Sequence, residues 1–349
     1  MKIRLILLHY FYKIKHLLNW QQQATSGFRN CSDLLDYLEI PNTDRSHVLE
    51  HHRFSMKVPL SFANRMNKND IHCPLLKQVL PIAAENDGIT QSQSVPDPLQ
   101  EREFLTAPGV LHKFQNRFLV IASGYCPVNC RYCFRREFDY ENSALSLADW
   151  NQRLNELKNT PDIEEVILSG GDPLTLSDRR LAMIINDLRQ INSIKAIRIH
   201  TRFPVMIPDR LTDELLEIVR WKNTESVRIT IVLHINHPNE INDELHKKLK
   251  HWNQSGVLFL NQSVLLKGVN DSVLTLKKLS YRCFESGVMP YYLHQLDRVS
   301  GAMHFEVPLS EGQKIASELR TQLPGYLVPL YVQEIPHAKS KVPLISMCN

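Results

Sequence analysis

The chain has 349 residues, with 41 Lys+Arg against 37 Asp+Glu, and is 43% hydrophobic and 22% charged. A net charge of +4 over that length is too small a surplus for a dedicated nucleic-acid binder, and the composition excludes a disordered, collagenous or low-complexity chain. The length admits one large α/β domain with an appendage, or two domains.

The N-terminal stretch MKIRLILLHYFYKIKHLLNW is apolar, but Lys2, Arg4, Lys13, Lys15 and His16 interrupt it before any run nears the ~20 residues of a spanning helix. No small-residue cleavage site follows, so it reads as an amphipathic surface helix of a cytoplasmic protein without membrane contact. Seven cysteines, Cys31, Cys73, Cys126, Cys130, Cys133, Cys283 and Cys348, an odd number without a secretion signal, predict reduced thiols rather than a disulfide framework. Short helical patterns such as CSDLLDYLEI from Cys31, with Ser32 or Asp33 as cap, mark a helical appendage. DGITQSQSVPDP, between Asp87 and Pro98, is rich in turn-formers and reads as a linker.

From Arg117 onward, apolar strand-like runs alternate with amphipathic helical ones. The strands are RFLVIAS from Arg117, EEVILS from Glu164, IKAIRIH from Ile194, SVRITIVLHI from Ser226, VLFLNQSVLL from Val257, VMPYYLHQL from Val288 and YLVPLYVQEI from Tyr326. Between them lie LADWNQRLNELKN, DRRLAMIINDLRQI, TDELLEIVRWK, INDELHKKLKHWNQ, VLTLKKLSYRCFES and LSEGQKIASELRTQ. Six βα units and a last strand imply a parallel sheet covered by helices. A partial (β/α)6 barrel is the expected α/β fold, with an open doubly wound sheet as the alternative. The expected division is 1–110 for the appendage and linker, 111–300 for the barrel and 301–349 for a C-terminal segment.

The residues most capable of chemistry fall at or after the carboxyl ends of successive strands, the face on which parallel barrels build their sites. Cys126, Cys130 and Cys133 follow the first strand with the spacing Cys-x3-Cys-x2-Cys, and SGGDP, Ser169 to Pro173, follows the second. Three thiolates on one short loop suit an iron–sulfur cubane that leaves one iron open. They also suit zinc, if His112 or His200 supplies a fourth ligand.

This cysteine spacing after the first barrel strand, followed by SGGDP, resembles the radical S-adenosylmethionine superfamily. CRYCFRR, SGGDPL, HINHPNE, NQSVLLKGVND, PYYLHQLD and Lys341-Val342-Pro343-Leu344 narrow the resemblance to the lysine 2,3-aminomutases. LHKF, YCFRREF and GYLVP resemble the bacterial branch that makes (R)-β-lysine for elongation factor P. The likeness runs from about Val58 to Leu344.

That resemblance implies three cofactors and a set of residues. Cys126, Cys130 and Cys133 would hold a [4Fe–4S] cluster, and Ser169, Gly170, Gly171, Asp172 and His234 would flank S-adenosylmethionine. Lys341 would carry pyridoxal 5′-phosphate as a Schiff base, with Lys113, Arg117 and Gln262 at its phosphate. Arg135 would take the carboxylate of the substrate L-lysine, and Asp297 and Glu334 its side-chain ammonium. Glu334 stands where clostridial-type relatives have aspartate. Pro336-His337-Ala338-Lys339-Ser340 replaces the glycines usual before the lysine, which bears on how Lys341 reaches the site; Lys339 is the competing assignment. The implied partners are L-lysine, an external electron donor and, indirectly, elongation factor P; nucleic acid and membrane are not among them, and a homo-oligomer is left open. Two other readings stand beside it: a radical aminomutase for another amino acid such as glutamate, lacking the Asp297 and Glu334 pair, and a noncatalytic zinc-bearing interaction module.

Overall fold

The computed structural model describes residues 18–50, 52–89, 91–140, 145–222 and 226–344. Most of the expected amphipathic N-terminal helix, and Cys348, lie outside these residues. Among those described, no helix is long and apolar enough to cross a membrane.

Ten strands follow one another in a single sheet whose spatial order is their chain order. An antiparallel opening, β1 (Leu105–Ala107) and β2 (Val110–Phe114), leads into β3 (Arg117–Ser123). From β3 the sheet is parallel through β4 (Glu165–Gly170), β5 (Ala196–Thr201), β6 (Arg228–His234), β7 (Leu258–Val264), β8 (Val288–His294) and β9 (Leu330–Gln333). A short antiparallel β10 (Val342–Pro343) closes the series on β9. The order never reverses, as a doubly wound sheet requires, so the fold is a partial barrel, and the sheet is not closed. All seven expected parallel strands form. The antiparallel additions at both edges did not figure in the sequence reading, because strands of three, five and two residues carry too little alternation to register.

The crossover helices form where expected. In Asp178–Arg189, Ser177 caps the first turn, and Leu181, Ile184, Ile185 and Leu188 recur at helical spacing and are buried. Each such side chain contributes about 1.5–3 kcal/mol on leaving water. They pack on the outward-facing strand residues, among them Val166, Leu168, Ile197, Ile199 and Phe259.

Strand alternation then decides what points inward. In β5, Ile197 and Ile199 are buried against the helices, while Arg198 and His200 face the barrel interior. The same period turns Ile167 and Ser169 of β4, and Gln262 and Val264 of β7, inward. A polar barrel interior is therefore written into the strands.

Residues before β1 do not form a separate core. Leu34, Leu35, Phe62, Leu75 and Leu76 belong to the same apolar cluster as the barrel's outer layer. The sheet likewise runs past both expected divisions, since β1 begins at Leu105 and β9 and β10 lie beyond residue 300.

Candidate active site

A cavity of about 770 Å³ runs through the barrel interior, within the range of small-molecule sites. Every residue that the family resemblance implied lines it: Cys126, Cys130 and Cys133; Ser169, Gly170, Gly171, Asp172 and His234; Lys113, Arg117 and Gln262; Arg135, Asp297 and Glu334; and Lys341. Of the two possible zinc ligands, His200 lines it and His112 does not. They do not all sit at the carboxyl ends of the strands. The cysteines do, whereas Arg117 opens β3, so the cavity spans the barrel from one end toward the other.

The loop carrying the cysteines is held from outside by the N-terminal region. Asn129 N donates to Lys57 O at 3.1 Å and Arg131 N to Gln78 O at 2.9 Å, while Lys57 Nζ donates to Cys126 O at 2.9 Å. No motif in the sequence announced this clamp; only the fold brings residues 54–85 over residues 126–136. All three cysteines are free. Burial, and then the charge of Cys130, pushes the Cys133 thiol up to about 11; burial, and then Asp172, holds Cys126 well above its usual value. Burial and mutual repulsion keep such thiols protonated unless a bound cation takes up the charge of their thiolates. Among the described residues, no group of three or more His, Cys, Asp or Glu surrounds the place of a single metal ion.

The SGGDP segment is shaped by the cysteine loop. A Cβ on Gly171 would lie 2.6 Å from Tyr125 O, and one on Gly170, whose φ is +116°, would strike Ser123 O. These glycines let β4 run against the backbone that leads to Cys126. Asp172 is 3% exposed, and its carboxylate is spent on the protein. It accepts from Leu174 N at 3.0 Å, Thr201 Oγ1 at 2.7 Å, Arg202 N at 2.8 Å and Phe203 N at 2.9 Å, tying the end of β4 to the end of β5. His234 stacks on Tyr132 with centroids 5.6 Å apart, and its Nε2 lies 3.0 Å from the Tyr132 hydroxyl. Burial, and then Arg202, holds its pKa well below the usual value, so the ring is neutral.

Across the cavity runs a file of alternating charges: Arg135, Glu101, Lys113, Glu334, Lys341. Arg135 closes on both oxygens of Glu101, at 2.6 and 2.8 Å, and donates to Ser169 Oγ at 3.0 Å. Lys113 lies 3.1 Å from Glu101 and 2.9 Å from Glu334, and Lys341 pairs with the other oxygen of Glu334. Lys113 on β2 thus reaches Glu334, just past β9, and an ion pair spans the seam that the sheet leaves open. Against the upward push of burial, Lys341 and Lys113 hold the Glu334 carboxyl well below the usual range. Asp297 has no ion pair to another described residue, and burial, then Glu334, raises it to about 7.

Lys341 enters the cavity despite the missing glycines. Pairing of Val342 with Gln333 in the β9–β10 ladder sets Lys341 opposite Glu334. The preceding turn is made by His337 at φ 62°, with Ala338 N donating to Ile335 O at 3.1 Å. His337 stands in for glycine, and its ring rests on Phe104. Lys339 also borders the cavity but is exposed, whereas Lys341 is half-buried.

Two lining residues escaped the sequence reading: Glu101 sits in an unremarkable DPLQE run, and Arg198 points inward by strand alternation and donates to Glu165 at 2.7 Å. His200, named from the sequence as a possible zinc ligand, is half-buried with its Nε2 shielded and unpartnered. Inward-facing charge in a strand was the available signal.

Residues 120–274 match the family model of the radical SAM superfamily. The chain is 40% identical over 332 residues, 95% of its length and 96% of the relative's, to an L-lysine 2,3-aminomutase of Buchnera aphidicola subsp. Baizongia pistaciae. It is 43% identical to the L-lysine 2,3-aminomutase of Escherichia coli K12, covering 83% of each chain. To that of Haemophilus influenzae it is 39% identical, covering 93% of this chain and 94% of the other. Among solved structures, Streptococcus suis SuiB bound to S-adenosylmethionine aligns with a TM-score of 0.48 and 19% identity over 67% of this chain and 54% of that one.

Proposed function

The chain belongs to the L-lysine 2,3-aminomutases of the radical SAM superfamily, and from that premise we propose that it converts L-lysine to (R)-β-lysine with pyridoxal phosphate beside its cluster and S-adenosylmethionine. One observation carries the reading. The three cysteines, the amine of Lys341 and the carboxylates of Asp297 and Glu334 line a single cavity.

The residues present fit the groups the reaction requires. Free, close-set thiols suit a cubane with an open iron, a half-buried lysine suits an aldehyde, and the unpartnered His200 Nε2 leaves a buried donor or acceptor for a bound group. When bound, the cluster and S-adenosylmethionine supply a 5′-deoxyadenosyl radical, and pyridoxal phosphate supplies a π system through which an amino group can migrate.

What the chain contributes is binding, orientation and exclusion of water. Cys126, Cys130 and Cys133 hold the cluster. Ser169, Gly170, Gly171 and His234 flank S-adenosylmethionine, and Asp172 acts there by fixing the turn. Lys341 carries the aldehyde cofactor, with Arg117, Gln262 and Lys113 facing its phosphate. Arg135, its fork held by Glu101, would meet the substrate carboxylate with its Nη1 edge. The ammonium of Lys341 now sits where Glu334 would meet the substrate's ammonium. Lys341 would hold the aldehyde cofactor, and Glu334 and Asp297, which line the same cavity, would face the distant ammonium of bound lysine. The barrel strands wall the cavity, and the Lys113–Glu334–Lys341 contacts cross the open seam, which would limit water at the reacting carbons.

The experiment is incubation of the anaerobically reconstituted protein with L-lysine, S-adenosylmethionine and a reductant, followed by chiral chromatography. (R)-β-lysine is expected; none formed overturns the assignment. The same reading places the enzyme in the cytoplasm, fed by an external electron donor, with its product destined for elongation factor P.

A further inference from the structure

Arg202 follows β5 in a position the reaction as described does not use, and its side chain, 7% exposed, is the hub of a buried polar network. Nη1 donates to Cys130 Sγ at 2.8 Å and to the Tyr132 hydroxyl. Nη2 donates to Gln78 Oε1 at 2.8 Å and to Glu240 Oε2 at 3.0 Å. Glu240 is fully buried, and its other oxygen is already taken by Asn236 N, His237 N and Gln78 Nε2, each at 3.0 Å. The backbone is fixed as well, since Arg202 N donates to Asp172. The guanidinium is therefore held against one cysteine sulfur by four separate anchors.

We propose that Arg202 is a positioning residue for the iron–sulfur cluster, which raises the cluster's reduction potential through a charged hydrogen bond to the Cys130 sulfur, with Glu240 as the counter-charge that sets how far. The inference rests on Cys130 being a cluster ligand. Adding an electron makes the cluster and its thiolates more negative, and a fixed cation at one sulfur stabilises that form over the oxidised one. A guanidinium does not deprotonate in proteins, so the field is permanent. Burial keeps it from being screened. Glu240, on the far side of the guanidinium from the sulfur, opposes it.

Two variants of the full chain give opposite signs. Glu240→Gln removes the counter-charge and leaves the guanidinium on Cys130, so the cluster becomes easier to reduce. The double variant Arg202→Gln, Glu240→Gln removes both charges with little change of shape, and losing the nearer, positive one makes the cluster harder to reduce. Redox titration followed by EPR, without S-adenosylmethionine, is expected to show each midpoint displaced by about a tenfold change in the one-electron equilibrium, 59 mV, upward in the first and downward in the second. Unchanged midpoints, or two displacements of the same sign, overturn the proposal. If the double variant does not fold, the sign for Glu240→Gln decides alone. In the unaltered protein labelled with guanidino-¹⁵N arginine, pulsed EPR of the reduced cluster should detect a nitrogen coupling; its absence also overturns the proposal. Iron and sulfide near four each per chain in the unaltered protein test the cluster itself, so failure of that premise is seen separately.

Discussion

Glu101 meets Arg135 fork to fork, Oε2 2.6 Å from Nε and Oε1 2.8 Å from Nη2, with both side chains buried. This bidentate pairing occupies the geometry that a substrate carboxylate would otherwise use on the same guanidinium. Burial penalises the charge on Arg135, but Glu101 outweighs it and holds the pKa above the usual value. Arg135 is thus oriented by a protein carboxylate, leaving its Nη1 edge toward Ser169 and the cavity.

Glu101→Gln keeps the shape of that clamp and removes its charge. KM for lysine should rise roughly ten- to hundredfold, in line with the 1.5–3 kcal/mol carried by a hydrogen bond to a charged group, with kcat changed far less. Steady-state kinetics at saturating S-adenosylmethionine checks this. An unchanged KM would show that Arg135 needs no such support.

Lys341 and Lys339 border one cavity, but only Lys341 pairs with Glu334. After incubation with pyridoxal phosphate and borohydride reduction, the adduct mass should appear on the Lys341 peptide. Lys341→Arg, which preserves the ion pair, should abolish both adduct and turnover, whereas Lys339→Arg should retain both. Peptide mass spectrometry decides between them.

Asp297 is raised to about 7 by burial and, next, by the charge of Glu334. Only its ionised form attracts an ammonium, so affinity for lysine should strengthen as pH rises through 7. KM measured between pH 6 and pH 8 should fall accordingly, and Asp297→Asn should remove that slope while raising KM at the alkaline end. A slope that persists in the variant would assign it to another group.

A methyl on Gly171 would lie 2.6 Å from the carbonyl oxygen of Tyr125, which is backbone and cannot swing aside. Gly171→Ala should therefore push β4 away from the cysteine loop. The expected cost is about 1–3 kcal/mol, read as a lower melting temperature, with less iron retained per chain after reconstitution.

The parallel strands and their helices were legible because each carries enough residues for its period to show. The cysteine triad was legible from spacing, and SGGDP from a family resemblance that the triad brought into view. Glu101 was not, since a carboxylate in a turn-rich stretch gains meaning only when folding sets it between Arg135 and Lys113. The path of the Lys341 loop was also hidden: a histidine, not glycine, adopts the left-handed turn at residue 337, and that choice depends on Phe104 across the open seam. The glycines of SGGDP were recognised for a cofactor's sake, yet their nearest constraint is the backbone of Ser123 and Tyr125.

The central claim is that the cysteine triad and Lys341 serve one reaction in one cavity. Supplying S-adenosylmethionine deuterated at the 5′ carbon and measuring deuterium in the product tests it directly. The account predicts labelled β-lysine from the unaltered protein and none from Cys130→Ala or Lys341→Arg; β-lysine that forms without label would contradict it.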